Sequence, residues 1–396
     1  MMRHPPESHS LPRRAFHRAA LLALAALLDA CRPAPALPIP TPQPDPSPTL
    51  PPTPTLITAA PPTALPVPTA SPTPDRRLCD LYAAHRERLR AILAESTDRH
   101  VRLVVRPLAH PELEVNFGGG DVQRAASTIK ALILIYALFK DPALDLHGPS
   151  AERPASDAYR MIVSSHNAAT ARVLIAAAGA EERERALDLF NDFAHRVLGL
   201  PPQLGLTQWD YWPTIGLRAQ GVGELPTDEF PQGVPNPITL DALVDFYTLL
   251  ETPHALREAA ERAADLYAHR YPSRAAYIAA ALEATERAKA LLAIPDPDYV
   301  TQMEIALEAA RAAHPTLVFE MYGKNGTLSP ADWDIKRWHI NEAGVVTLSQ
   351  GQRVQKFVLA FSSASFHTST YLNAALEYCV ALFAAPATTS GGCDPQ

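Results

Sequence analysis

Ala125-Ala126-Ser127-Thr128-Ile129-Lys130-Ala131-Leu132 joins a glycine-rich break, Gly118 to Gly120, to a run that stays apolar through Phe139. The spacing predicts a helix over Ser127 to Phe139, apolar on nearly every face, and such a helix belongs deep in a core. Residues three apart share a helix face, so the Lys130 amine can approach the Ser127 hydroxyl. Burial lowers the pKa of a lysine until its neutral, basic form is populated, and a serine needs such a neighbour to become a nucleophile. The first helical turn also leaves backbone N–H groups unpaired at the positive end of the helix dipole, which suits an anionic tetrahedral intermediate. Alone, a Ser-x-x-Lys pattern is weak, because four-residue patterns with two free positions arise often by chance.

Outward from this helix, Leu78 to Leu93 has apolar residues at helical spacing, Val101 to Val105 is a β-branched run, and Leu113 to Phe117 can pair with it as a hairpin. From about 156 to 315 the chain reads as helices, with Ala-rich amphipathic stretches at 157–178, 181–197, 239–250, 254–290 and 301–313. Strand signals return at Leu317 to Tyr322, Trp338 to Asn341, Gly344 to Ser349 and Lys356 to Ser362, before a helix near Thr368 to Phe383. The expected class is α/β in the broad sense, α+β in detail: one sheet assembled from both chain ends, with a helical subdomain inserted between.

Two further motifs follow in order. Met161-Ile162-Val163-Ser164-Ser165-His166-Asn167 contains Ser-x-Asn, and Tyr322-Gly323-Lys324-Asn325-Gly326-Thr327 closes a strand with Lys-x-Gly. Each has a bland reading, a helix-capping Ser/Asn pair and a Lys-Asn-Gly turn. Together with Ser127 and Lys130, the trio resembles class A β-lactamases and penicillin-recognising serine hydrolases. The resemblance covers about residues 78 to 385 and implies a β-lactamase/transpeptidase-like fold with an antiparallel sheet. It implies Ser127 as nucleophile, Lys130 as its activating base and Ser165 as the proton donor to the leaving group. Asn167 would hold the substrate amide, Lys324 would attract a substrate carboxylate, and Gly326 would leave room for close approach. The Thr327 N–H would complete an oxyanion hole with that of Ser127. His166 stands where the family has aspartate, and Asn325 where it has threonine or serine.

Class A β-lactamases deacylate with a glutamate in an E-x-x-L-N segment, and this chain has none. Asn236-Pro237-Ile238-Thr239-Leu240-Asp241 resembles the approach to the helix after the family's Ω-loop, and counting back from Thr239 lands near Glu224. Asp228 and Glu229 are rivals, and a solvated loop carboxylate is the bland alternative. The extra helices between about Thr252 and His314 exceed what the family carries there.

Of the 40 prolines in 396 residues, 17 lie between Pro33 and Pro74. Residues 1–31 read as a signal peptide: Arg13, Arg14 and Arg18, an apolar run from Ala19 to Leu28 too short to span a bilayer, then Leu28-Asp29-Ala30-Cys31. The last four resemble a lipobox, with Asp29 unusual inside it, so Cys31 is the expected lipidation site and non-lipidated export the alternative. Residues 32–76 are rich in Pro and Thr, cannot repay their ordering entropy by burial, and form a tether reaching up to about 130 Å as polyproline II. The hydrolase domain is expected over 77–385 and a tail over 386–396. Cys79, Cys379 and Cys393 allow one disulfide, with Cys79–Cys379 a plausible staple and buried free thiols the other reading.

The net charge of −7 gives no basic excess for a phosphate backbone, so nucleic acid is not an expected partner. No metal or other cofactor is expected. The expected partners are a small-molecule or peptidoglycan-like substrate and, through the lipid anchor, a membrane, with the chain a monomer in the cell envelope. β-Lactam or other amide hydrolysis leads. A D-alanyl-D-alanine carboxypeptidase or esterase on the same fold, and a non-catalytic tethered sensor or binding protein, are the alternatives.

Overall fold

The computed structural model describes residues 76–385 apart from 97, 99, 203, 208–235, 298, 329–337 and 366–368, all within the compact unit Pro68–Gln396. The signal segment, the tether and the tail lie outside the described residues.

Strands from the two ends of the domain do meet. β1 (Arg102–Pro107) pairs antiparallel with β2 (Val115–Phe117), Leu103 opposite Phe117. Its other edge pairs with β7 (Arg353–Ser363), Val105 opposite Leu359. β6 (His339–Gln350) joins β7 to β5 (Val318–Leu328), giving the antiparallel order β2-β1-β7-β6-β5 with β5 at one edge. A two-stranded ribbon, β3 (Gln123–Arg124) with β4 (Pro237–Ile238), stands apart from it.

Alternation along the strands makes two cores. Leu103, Val105, Val346, Leu348, Leu359 and Phe361 face one side, under α1 (Arg76–Glu95), α9 (Gln302–Ala313) and α10 (Ser369–Ala384). Val104, Ala343, Val345, Val358 and Ala360 face the other, against the inserted helices. These are α2 (Ile129–Lys140), α3 (Asp157–Ile162), α4 (Asn167–Ala178), α5 (Ala186–Arg196), α6 (Leu240–Glu251), α7 (Pro253–Tyr267) and α8 (Arg274–Leu292). As its sequence required, α2 is buried from Ile129 through Phe139. Its last turn is held by Tyr277 of α8, whose hydroxyl donates to the Phe139 carbonyl at 2.6 Å, satisfying an acceptor that helix ends leave unpaired.

Several boundaries differ from expectation. The stretch 157–178 is two helices, because the chain turns at Ser165, whose φ is 49°. The stretch 254–290 breaks before Pro272, which cannot continue a helix, and α8 restarts with the Ser273 hydroxyl accepting from Ala276 N–H at 3.1 Å. The helix read from Glu181 begins as a 3-10 turn, Ala180–Arg185, before α5. β6 is one strand where two were expected, because Glu342 and Ala343 keep the ladder running opposite Asn325 and Lys324. β5 likewise continues past Tyr322 to Leu328. The Cys79–Cys379 staple is overturned. Cys79 is disulfide-bonded, but Cys379 is free and buried on the inward face of α10, while Leu78 rather than Cys79 takes the fully buried place on α1. No helix among the described residues is long and apolar enough to cross a membrane.

Candidate active site

Ser127 sits half-buried in a short 3-10 turn, Ala126–Thr128, at the mouth of α2. The residue before it, Ala126, has a φ of 47°. Among the described residues only three non-glycines have positive φ, Ala126, Ser165 and Asn236, and all three adjoin this turn or what contacts it. Left-handed backbone costs a non-glycine residue on the order of 1 kcal/mol or more, and such strain collects where side chains must be aimed.

Lys130, one helical turn beyond Ser127, is buried. Its amine donates to the Ser165 carbonyl and to Asn167 Oδ1 at 2.7 Å, with the Ser165 hydroxyl at 3.2 Å. No hydrogen bond joins it to Ser127 among these contacts, so the direct approach read from the i, i+3 spacing is replaced by contact with the Ser165–Asn167 turn, which offers several oxygens to one amine. Burial, reinforced by the charge of Lys324 and opposed by Asp296, holds the Lys130 amine well below the usual lysine range.

The turn that receives Lys130 is not the capping pair of the bland reading. The N-cap of α4 is His166, whose Nδ1 accepts from Ala169 N–H at 3.1 Å, which frees Ser165 and Asn167 for the amine. The other ring nitrogen of His166, Nε2, lies 3.1 Å from the Arg160 guanidinium. Burial, Arg160 and Arg172 hold this imidazole below its ordinary pKa and therefore neutral.

β5 forms the facing wall. Gly326 lies so close to the Ser127 turn that a Cβ there would run into the backbone nitrogens of Ser127 and Thr128. Thr327 follows, half-buried and opposite Ile340. Lys324 is 5% exposed, and its amine donates to Asn325 Oδ1 at 2.8 Å. Burial pushes its pKa down to about 8, against the pull of Asp296, Glu342 and Glu304.

Gly326 thus abuts the Ser127 turn, Lys130 is held by the Ser165–Asn167 turn, and Lys324 is near enough for its charge to act on Lys130. Glu224 lies outside the described residues, yet both roots of its segment are pinned beside the site. Asn236 N–H donates to Thr207 Oγ1 at 2.9 Å, Thr207 N–H returns to Asn236 Oδ1 at 2.8 Å, and Ala125 N–H donates to the Asn236 carbonyl at 2.9 Å. As its sequence suggested, the segment from Asn236 leads into a helix, α6, whose cap Thr239 accepts from Ala242 N–H.

The sequence reading missed a cavity of about 420 Å³ beside Lys324, walled by α9 and by the connection from α8. Asp296, Glu304 and Glu342 line it. The Pro295-Asp296-Pro297 turn and the Thr301-x-x-Glu304 capping pattern were legible as turn and helix start, but nothing local linked them to Lys324. No cluster of His, Cys, Asp or Glu suited to a metal ion occurs among the described residues.

No protein-family model matches this chain, and no curated protein sequence does. Solved structures resemble it. A β-lactamase from Streptosporangium roseum is 15% identical with a TM-score of 0.48, the match covering 76% of this chain and 98% of that one. A β-lactamase from Desulfarculus baarsii gives 15%, 0.48, 77% and 99% in the same terms, and the penicillin-binding protein PBP-A gives 16%, 0.45, 76% and 96%. The likeness is one of fold. Sheet order and inserted helices define the class: an α+β fold, one antiparallel sheet built from both ends of the domain with a helical subdomain between.

Proposed function

We propose that the chain is a serine acyl hydrolase that forms an acyl-enzyme on Ser127. The observation that carries this reading is the Lys130 amine, buried, depressed in pKa and held by Ser165 and Asn167 one turn from a serine left half-exposed. A neutral amine has two hydrogens and one lone pair. The Ser165 carbonyl and Asn167 Oδ1 take the hydrogens, and the lone pair accepts from the Ser165 hydroxyl. As Ser127 Oγ bonds to the acyl carbon its proton passes to Ser165 while the Ser165 proton passes to the Lys130 amine, and the ammonium returns a proton through Ser165 to the leaving group as that bond breaks. The backbone N–H groups of Ser127 and Thr327 stabilise the oxyanion, and Gly326 permits the close approach this requires. Water then releases the acyl group, with Glu224 the candidate base for that step.

β-Lactam or other amide hydrolysis is the leading activity. Peptidase or esterase action and a non-catalytic sensor are separated from it by a fluorescent penicillin: prompt turnover, persistent labelling and no labelling correspond to the three in order. Ser127→Ala should abolish labelling while the melting temperature stays within a few degrees, since one pocket hydroxyl contributes little to packing. Labelling that survives the substitution would remove Ser127 from the mechanism. We further propose export as a monomer, with Cys31 lipidated and residues 32–76 as the tether, which places the domain among envelope substrates.

A further inference from the structure

We propose that the cavity beside Lys324 receives a bulky apolar side chain on the leaving group of the substrate. The substrate class is then an amide or ester whose leaving group bears a carboxylate and an apolar substituent on one carbon, as an aromatic or branched C-terminal residue of a peptide does. The proposal rests on the hydrolase reading above and names its substrate class.

Position assigns the cavity to the leaving group. Ile162 and Val163, on its wall, run directly into the turn of Ser165, which returns the proton to the departing atom. Gly323, Lys324 and Asn325 form its β5 wall. Alternation along a strand puts Lys324 on the same face of β5 as Gly326, which abuts the Ser127 turn about 7 Å further along. Burial holds the Lys324 amine at a pKa of about 8 despite Asp296, Glu304 and Glu342, so its charge is under-compensated and gains from a carboxylate partner. A substituent on the carbon that bears this carboxylate therefore starts beside the cavity.

The lining suits an apolar guest. Ile162, Val163, Leu292, Ile294, Val300 and Met321 contribute to it. Ile294 is 41% exposed and Val300 60%, so both keep apolar surface for a guest to cover. Two of the acidic residues on the wall are engaged by backbone donors of α9: the Glu342 oxygens accept from Gln302 N–H at 2.8 Å and Met303 N–H at 2.9 Å, and Glu304 accepts from Thr301 N–H at 2.7 Å. An apolar void of about 150 Å³ already binds benzene. At about 420 Å³ this cavity has room for an aromatic or branched side chain. Ile294 and Val300 lie on the connection from α8 to α9, so the subsite is built by the long helical insertion.

The test compares the N-benzoylglycyl esters of lactate and of 3-phenyllactate, in both enantiomers, which share acyl group, ester bond and carboxylate and differ by a phenyl ring. For the better enantiomer the phenyl-bearing ester should be favoured by about tenfold in kcat/KM, mostly through KM. Ala293→Trp fills the cavity from an exposed wall position, and the double variant Ile294→Asn with Val300→Asn makes its exposed rim polar. Each should bring the ratio toward one while the lactate ester keeps its wild-type rate. A wild-type ratio near or below one, a ratio unmoved in both variants, or equal slowing of the two esters would overturn the proposal and leave the hydrolase reading standing. Hydrolysis of neither ester, or hydrolysis that survives Ser127→Ala, would overturn the hydrolase reading itself, and this proposal with it.

Discussion

Replacing Gly326 by alanine tests the contact on which the site depends. A Cβ at 326 would lie 2.8 Å from Thr128 N and 2.9 Å from Ala126 Cβ, and closer still to Ser127 N. That is roughly half an ångström or more inside ordinary contact, and none of these atoms is the free end of a flexible side chain. β5 cannot drift away, because it is laddered to β6 along its whole length, from Val318 to Leu328. The strand end or the Ser127 turn must therefore yield, at about 1–3 kcal/mol, which lowers the melting temperature by a few degrees in a domain of this size. Displacing a nucleophile by about an ångström can cost on the order of a hundredfold in rate. Timed labelling with fluorescent penicillin should show acylation slowed at least tenfold. Gly120→Ala, where the new methyl would meet Asp241 at an ordinary 3.5 Å, is the control and should label at the wild-type rate. Gly326→Ala labelling within twofold of wild type, or equal slowing in the control, would refute the packing argument.

The depressed Lys130 amine acts as a base only when unprotonated, so acylation should rise with pH through a pKa well under the ordinary lysine value and plateau above it. Lys130→Ala should lose that limb and orders of magnitude in rate, and an unchanged profile would displace Lys130 from its role. Glu342, fully buried, has its carboxyl pushed up to about 7 by burial. The native state therefore holds a proton that the unfolded chain has released, and stability declines as pH rises from about 4.5 to 7, by about 3 kcal/mol in all. Glu342→Gln should flatten that slope in melts from pH 5 to 8, and parallel curves for the two proteins would contradict it. Cys31→Ser should move the protein from the membrane fraction to the soluble one, whereas retention would point to an uncleaved N-terminal helix.

The Ser127 helix was legible because its apolar residues leave no face for water, which fixes both its type and its depth. The break at Ser165 was not, since apolar spacing on either side continues in helical register and only backbone conformation marks the turn, whereas the break before Pro272 was written in the proline itself and the reading of 254–290 ran through it. The motifs located the walls of the site, but the partner of Lys130 depended on where the Ser165 turn lands in three dimensions. Glu342 shows a different limit. An ionisable residue inside an apolar strand looks like a gap between two strands, and only the helix N-terminus packed over it supplies the donors its buried oxygens need. Its nearness to Asp296, Glu304 and Lys324 is a property of the assembled fold that no local pattern encodes.

The pairing of β1 with β7 constrains how the domain forms. Pro107 finds its partner in Phe357, 250 residues later. During synthesis β1 has only β2 beside it until almost the whole domain has emerged, so the sheet cannot assemble progressively. Closing so long a loop makes folding slow and delays it until the last strand of the domain is made. Until then the sheet-facing residues of the early strands have no completed core, and a chain interrupted before Arg353 would lack the central strand that joins its two halves.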